Sequence, residues 1–580
     1  MSAIFGYLGQ HDDRLLATMS NAIEHRTGGP FRYIETTGGT LAYRPPPCAE
    51  QCQGGLAESN GVTLAFAGRV RTATDGATEI AALLAEQYRL LGLGFIEALQ
   101  GDFVCAILDG EQLHLCRDGA GARSVYFAKH EGRFFFSVEP KGLWTLPGFS
   151  KRIRPAGIAR YFSFSFQPTT ETLLEDLWQT PAGHVATLSR GSSPRFTRTF
   201  RFEEAESARP DPNPDHWVGK FRQALGTAVE KRIDGRRDVI AFLSGGIDSS
   251  IVVHEAAARL GSELRTFALH FGEDYPDELE FARMVADRCG TTHEEVLVRP
   301  KSFLPRLRQM VWQLDDPIGD PVTIGNFELA KTVSGSANAV LNGEGGDPCY
   351  GGPKNLPMLL QHWYGGARNE RGFRERLYLE SYRRGYHEFN RLLTPDWQRL
   401  IDPQEDLEAV LTPFFEASRP ASFLNKLMAI NVRLKGAQLI LPKVERLLGG
   451  WGLQPLSPLF DENLVRLSFE MPPQLKLSRG VEKWVLKQAY RDDLPNEIVD
   501  RPKSGMRVPV HFWFQGELKR YAKSLLSEKN IRRAGLFNPE RVRQLLRYEA
   551  EERDSRHGLL LWMLITFEIW RQIVVEGETV

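Results

Sequence analysis

Leu243-Ser244-Gly245-Gly246-Ile247-Asp248-Ser249-Ser250 carries the parts of an anion-binding turn in one short string. Gly245 and Gly246 allow a tight turn and bring backbone N–H groups to a ligand with no Cβ in the way. A helix beginning here adds the positive end of its dipole, which favours an anion. Ser244, Ser249 and Ser250 supply hydroxyl donors, and Asp248 can hold Mg²⁺ beside phosphate oxygens. The Lys that follows the second glycine of a Walker A loop is missing, so this is a phosphate turn of another kind. A plain capped strand-to-helix turn would account for the glycine pair, but not for the whole string.

Such a turn has to lie between a strand and a helix, and the flanking sequence provides both. Residues 238–243 form an apolar strand-like run, and 249–261 have apolar residues at helical spacing. A helical stretch at 216–233 precedes them, and strand 264–271 and helix 278–290 repeat the alternation. Strand and helix in turn predict a parallel sheet with crossover helices. From about Pro353 onward the chain reads as mostly helical. The first two hundred or so residues differ, with strand-like runs broken by Gly, Asp and Pro and one helix near 79–92. The polar, proline-bearing stretch 203–215 reads as a linker. The expectation is two domains, α+β over 1–202 and α/β over 216–580.

Composition narrows the function. A chain of 580 residues exceeds one ordinary core, in keeping with two domains. Its 72 basic and 73 acidic residues nearly cancel, which argues against a nucleic-acid partner. With no run of about eighteen apolar residues, no membrane span is expected, and the first residues lack the pattern of a signal peptide. Six cysteines in so long a chain are no disulfide framework, and Cys48 and Cys52 lack a second pair to complete a zinc site. These features fit a reducing cytoplasm.

Further motifs extend into a resemblance over nearly the whole chain. The string Ser244 to Ser250 resembles the pyrophosphate loop of the N-type ATP pyrophosphatases, and among them of the asparagine synthetases. Thr266-Phe267-Ala268-Leu269-His270-Phe271 with Asp277-Glu278, and Asp315-Asp316-Pro317, are similar to family signatures. So are Asn342-Gly343-Glu344-Gly345-Gly346-Asp347 with Gly351-Gly352, Gly480-Val481-Glu482-Lys483, and Arg501-Pro502-Lys503. The resemblance implies a parallel-sheet PP-loop ATP pyrophosphatase domain with a helical C-terminal part, using ATP and Mg²⁺. It implies that Asp248 and Asp347 bind Mg²⁺ and that Lys483 and Lys503 hold pyrophosphate and developing negative charge. Leu243, Leu269, Asn342 and Gly343 would line the nucleotide pocket.

The implied reaction turns a carboxylate into an acyl-adenylate, with pyrophosphate leaving, and then into an amide. Charge develops on non-bridging phosphate oxygens, so cations and backbone donors are the catalytic groups. The attacking amine must lose a proton, which calls for a general base. Glu344 and Glu445 are the candidates, and two carboxylates side by side would push one pKa toward neutrality. In the rival reading Glu445 pairs with Arg446 or Lys443 and only shapes the pocket.

The N-terminal part resembles the class II glutamine amidotransferase domain, which implies an Ntn-type αββα sandwich. That domain begins MCGIFGY, with a cysteine nucleophile, where this chain has Met1-Ser2-Ala3-Ile4-Phe5-Gly6-Tyr7. Ser2 offers a hydroxyl, a much weaker nucleophile at neutral pH. The family's RGPD is replaced by Arg26-Thr27-Gly28-Gly29-Pro30, and its NGEIYN gives way to a stretch that opens Ala67-Gly68-Arg69-Val70. The oxyanion-stabilising Asn is thus lost, while Gly101-Asp102-Phe103, Arg117-Asp118-Gly119 and Phe136-Ser137-Val138-Glu139 remain. A packing domain that has lost its pocket is the simplest reading.

An amine from elsewhere then makes the amide. Related enzymes with this pattern include β-lactam synthetases and lasso-peptide macrolactam cyclases. The former carry a Tyr where this chain has Glu344, and a Glu where Glu445 falls. For a cyclase the carboxylate-bearing substrate would be a precursor peptide, with a leader protease as a further partner. Trp363, Tyr364, Tyr378, Tyr382 and Tyr386 could line a large pocket for it, or simply form helix core. An enzyme using ammonia or a separate amine, and a noncatalytic ATP-binding scaffold, are the alternatives.

Overall fold

The computed structural model describes residues 1–47, 53–71, 80–202, 213–365, 370–382, 385–502, 505–547 and 557–580. Cys48, Cys52, Lys503 and most of the expected linker lie outside them.

The N-terminal region contains twelve strands among its described residues. They are β1 Ala3–Leu8, β2 Arg32–Glu35, β3 Gly39–Arg44, β4 Gly54–Ser59, β5 Val62–Arg71 and β6 Gln100–Asp109, then β7 Gln112–Arg117, β8 Tyr126–His130, β9 Arg133–Ser137, β10 Leu177–Gln179, β11 His184–Ser189 and β12 Arg195–Arg198. They form two antiparallel sheets, ordered β10-β8-β9-β1-β3-β2 and β12-β11-β7-β6-β5-β4. Period-two alternation explains the layering. On β5 and β6, Ala65, Ala67, Val104 and Ala106 face the other sheet. Val62, Leu64, Phe66, Phe103, Cys105 and Ile107 face outward onto the helix Ile80–Leu91. The helix Asp13–Ala22 covers the opposite sheet through Leu16 and Met19. The layers are α, β, β, α, as the amidotransferase resemblance implies.

The second region contains a five-stranded parallel sheet: β13 Val239–Phe242, β14 Arg265–His270, β15 Thr292–Leu297, β16 Ala339–Leu341 and β17 Gln454–Leu456. Its order, β15-β14-β13-β16-β17, places the first strand in the middle. Successive connections leave β13 in one direction to β14 and β15, then return to its other side for β16 and β17. The chain ends of β13 and β16 therefore flank a topological switch point, where open α/β sheets form their ligand crevice. Helices fill most of the remainder, with a short antiparallel hairpin of Leu477–Ser478 and Val481–Glu482 just before Lys483.

The helix His557–Trp570, continued by Arg571–Val575, corrects the reading that no stretch is apolar enough to span a membrane. By length and composition it passes, but 89% of it is buried inside the protein. Its acid and base, Glu568 and Arg571, neutralise each other at 2.8 Å.

Candidate active site

Both glycine strings open at the switch point. After β13, Gly246 starts the helix Ile247–Leu260, and the hydroxyls of Ser249 and Ser250 donate to its carbonyl at 3.1 and 2.8 Å. Ser249 also accepts from the Ser244 backbone at 3.1 Å, so the loop is held by its own side chains. After β16, residues 342–345 lead into the short helix Gly346–Tyr350. The two loops touch. A Cβ on Gly346 would lie 2.1 Å from Asp248 Oδ1, and one on Gly343 would lie 2.5 Å from the Ser249 nitrogen. Only glycine permits that approach.

Lys483 brings the two loops to one point. Its Nζ lies 2.5 Å from Asp248 Oδ2 and 2.5 Å from Asp347 Oδ1, and its side chain is fully buried. The residue has φ +56°, a left-handed conformation unfavourable for a side chain with a Cβ. Such strain persists only where surrounding structure enforces it. Asp248, Asp347 and Lys483 are thus brought together from three segments that are distant in sequence.

The nucleotide-side residues divide. Leu243 is buried, and its N–H donates to the Phe267 carbonyl at 2.8 Å. Leu269 packs on the helix Val322–Val333, where it closes on Gly325. Asn342 accepts from the Glu344 N–H at 3.1 Å, while its buried Nδ2 has no partner among the described residues. A buried amide donor left over beside a glycine turn is chemically suited to an acceptor on a ligand.

Glu344 and Glu445 do not form the expected carboxylate pair. Glu344 Oε1 accepts from Lys443 Nζ at 3.3 Å. Glu445, only 2% exposed, meets Arg26 at 3.1 Å and Arg123 at 3.6 Å, both from the N-terminal region. The rival pairing with Arg446 or Lys443 is not formed either. The reason is helical geometry: Lys443 and Glu445 lie two apart on the helix Leu441–Gly449, and such residues do not share a face. Arg446 turns instead to Asp315 (3.3 Å) and Tyr126.

Arg26 is the hub of a buried inter-region cluster. It bonds Glu139 at 2.7 Å, Glu139 meets Lys141 at 2.8 Å, and Lys141 meets Asp315 at 2.8 Å. Burial pushes the Glu139 carboxyl up, but Lys141 and Arg26 outweigh it and hold the group well below the usual carboxylate range. His25, 3.4 Å from Glu139, is driven by burial down to about 3 and is neutral. Arg69, in the second altered motif, also crosses over, pairing with Asp234 and donating to the Arg232 carbonyl at 3.4 Å. Ser2 is buried at 3% exposure just before β1.

The aromatic residues proposed for a large pocket are scattered. Trp363 and Tyr364 are 56% and 82% exposed, Tyr378 is buried, and Tyr386 packs half-buried on the core. The Tyr382 side chain lies outside the described residues. Sequence reasoning missed the roles of Arg26, Glu139, Lys141 and Arg123, because charged residues in a sequence read as surface unless a partner is known. The signal available for Lys443 was its spacing of two from Glu445.

Comparison with known proteins places the chain in a family. The asparagine synthase family profile matches residues 220–572, and that of the glutamine amidotransferase domain matches 64–200. The chain is 24% identical over 530 residues to asparagine synthetase (glutamine-hydrolyzing) 1 of Bacillus subtilis, spanning 87% of this chain and 82% of that one. It is 26% identical over 440 residues to carboxyethyl-arginine beta-lactam-synthase of Streptomyces clavuligerus, spanning 75% and 69%. With a glycine turn at the switch point and a family profile over more than half its length, the chain belongs to the asparagine synthase family of ATP-dependent amide ligases.

Proposed function

We propose that this enzyme joins an ATP-activated carboxylate to an amine without hydrolysing glutamine, and that one peptide substrate carries both groups, as in lasso-peptide macrolactam cyclisation. The observation that carries the first half is the use made of the altered glutaminase motifs. Arg26 and Arg69, within those motifs, are committed to Glu445 and Asp234 of the other region, and Ser2 replaces the thiol. The β-lactam synthase relative supports the second half, since its named product is a cyclic amide.

The chemistry assigns each group a task. A substrate carboxylate oxygen attacks the α-phosphorus of ATP, and pyrophosphate leaves toward the Ser244 to Ser250 turn. Lys483, with Lys503, stabilises charge on the departing phosphates. Asp248 and Asp347 would hold Mg²⁺, which when bound shields phosphate charge. Two hard carboxylates converging on one ammonium are a donor set that suits a small dication supplemented by phosphate oxygens. The amine nitrogen then attacks the acyl carbon, AMP leaves with the bonding electrons, and Glu344 takes the amine proton.

The second reading, a separate amine or ammonia on a small carboxylate, is favoured by Glu344 itself, which this chain shares with asparagine synthetases. A noncatalytic scaffold fits less well, because a relic would not keep Asp248, Asp347 and Lys483 converged. The test is pyrophosphate exchange into ATP with a candidate precursor peptide, followed by mass spectrometry. A product lighter than the peptide by one water supports cyclisation. Exchange only with a small acid, and product only with added ammonia, would replace it with the second reading.

A further inference from the structure

We propose that Lys443 is the positioning residue for the base, and that the N-terminal region holds it in place through the opposite face of the same helix. This rests on the reading of Glu344 as the base. The helix Leu441–Gly449 is completely buried along its nine residues. On one side the Lys443 side chain, 7% exposed, has given up water, and Glu344 is its acid partner among the described residues. Burying an ammonium is costly unless a charge answers it, so the pair is tightly specified. Glu344 is 31% exposed and therefore open to a substrate. Lys443 takes its Oε1, the Asn342 side chain fixes its backbone N–H, and Oε2 keeps no partner among the described residues. One oxygen is tethered and one is available, the arrangement a proton acceptor needs.

The other side explains why Lys443 stays there. Two residues along, about 200° around the helix, Glu445 meets Arg26 and Arg123, and Arg446 meets Asp315 and Tyr126. Four groups, three from the N-terminal region, fix the rotation of the helix that presents Lys443. A cation thus stands beside Glu344 where a second carboxylate was expected, so the base is held by attraction, not poised by repulsion.

The test uses the full chain and measures both half-reactions, pyrophosphate exchange and amide formation, for Lys443→Gln, Lys443→Arg, Glu344→Gln and the double variant. Losing a charge-assisted hydrogen bond to the base should slow amide formation about 10- to 100-fold. Exchange should stay within about twofold in the same variant, and Lys443→Arg should restore most of the loss. The double variant should be no slower than Glu344→Gln alone, because a positioning residue has nothing left to position. Multiplicative losses, no rescue by Arg, or equal loss of both half-reactions would overturn the proposal. If Lys443→Gln does not fold, the Arg variant decides: near-normal amide formation supports the tether, and a large loss removes it. Unchanged amide formation in Glu344→Gln would instead remove the base reading beneath it.

Discussion

The two polar centres of this molecule have the same raw materials and opposite arrangements. At the switch point of the parallel sheet, Asp248, Asp347 and Lys483 converge from three segments, with Asn342 Nδ2 left over in the same glycine string as Asp347. In the N-terminal region, Arg26 and Arg69 turn away from the altered glutaminase motifs and into the other region. The first centre leaves the Asn342 Nδ2 donor without a partner among the described residues, and the second commits its arginines across the boundary between the regions. A buried polar group must find a partner, so a pocket that loses its ligand is under pressure to supply internal partners. Scaffold strings such as Arg117-Asp118-Gly119 survive because they serve the fold: Asp118 accepts from the backbone N–H groups of Gly121, Ala122 and Arg123.

The largest effect should come from the first centre. Asp248→Asn or Asp347→Asn should each lower pyrophosphate exchange by about a thousandfold or more, through lost charge at the phosphates. Wild-type exchange in either would erase the contrast. Next comes Arg26→Met, which takes from Glu139 and Glu445 their shared cation, leaving Lys141 to the first and the longer Arg123 contact to the second, and should cost about 3 kcal/mol of stability, read by denaturant unfolding. Ser2→Ala, by comparison, should cost under about 1 kcal/mol. A neutral Arg26→Met would mean the cluster is decoration.

A pH effect sharpens the view of the interface. Burial, with Asp118 and Asp461 nearby, pushes the Glu462 carboxyl up to about 8 from 4.5. The folded protein keeps a proton that the unfolded chain releases between those values. Its stabilising contribution is complete below about 4.5 and is lost as pH rises toward 8. Glu462→Gln should flatten that slope, gaining on the wild type by a few kcal/mol at most near pH 8, as melts across the range would record. The smallest expected effect is none: Ser2→Cys should release no glutamate from glutamine, because Ala67 still lacks the oxyanion donor. Steady glutamate release would show that the pocket survives.

The architecture was legible because periodicity and glycine punctuation report it directly: alternation on β5 and β6, and strand–helix turns around β13 and β14. The convergence of Asp248, Asp347 and Lys483 was legible through motif resemblance alone, since nothing local in Gly480 to Lys483 announces a buried ammonium. The partners of Glu445 were not legible. Its neighbours Lys443 and Arg446 offered plausible pairings, and the acid's own choice, Arg26, lies 419 residues away. Long-range ion pairs leave no periodic trace, so a helix crowded with charges tells of burial only once its surroundings are folded.

The helix Leu441–Gly449 makes the N-terminal region indispensable in a practical sense. Cutting the chain at the linker would remove Arg26, Arg123 and Tyr126 together, leaving Glu445 and Arg446 without most of the groups that oriented them. A gene encoding only the synthetase half would then yield a protein that keeps Asp248, Asp347 and Lys483 but whose helix can roll, and the error falls on the residue that meets Glu344. Trimming the enzyme for engineering should therefore begin at exposed segments, and any graft of this catalytic half onto another scaffold must bring along a surrogate for the arginine that grips it from behind.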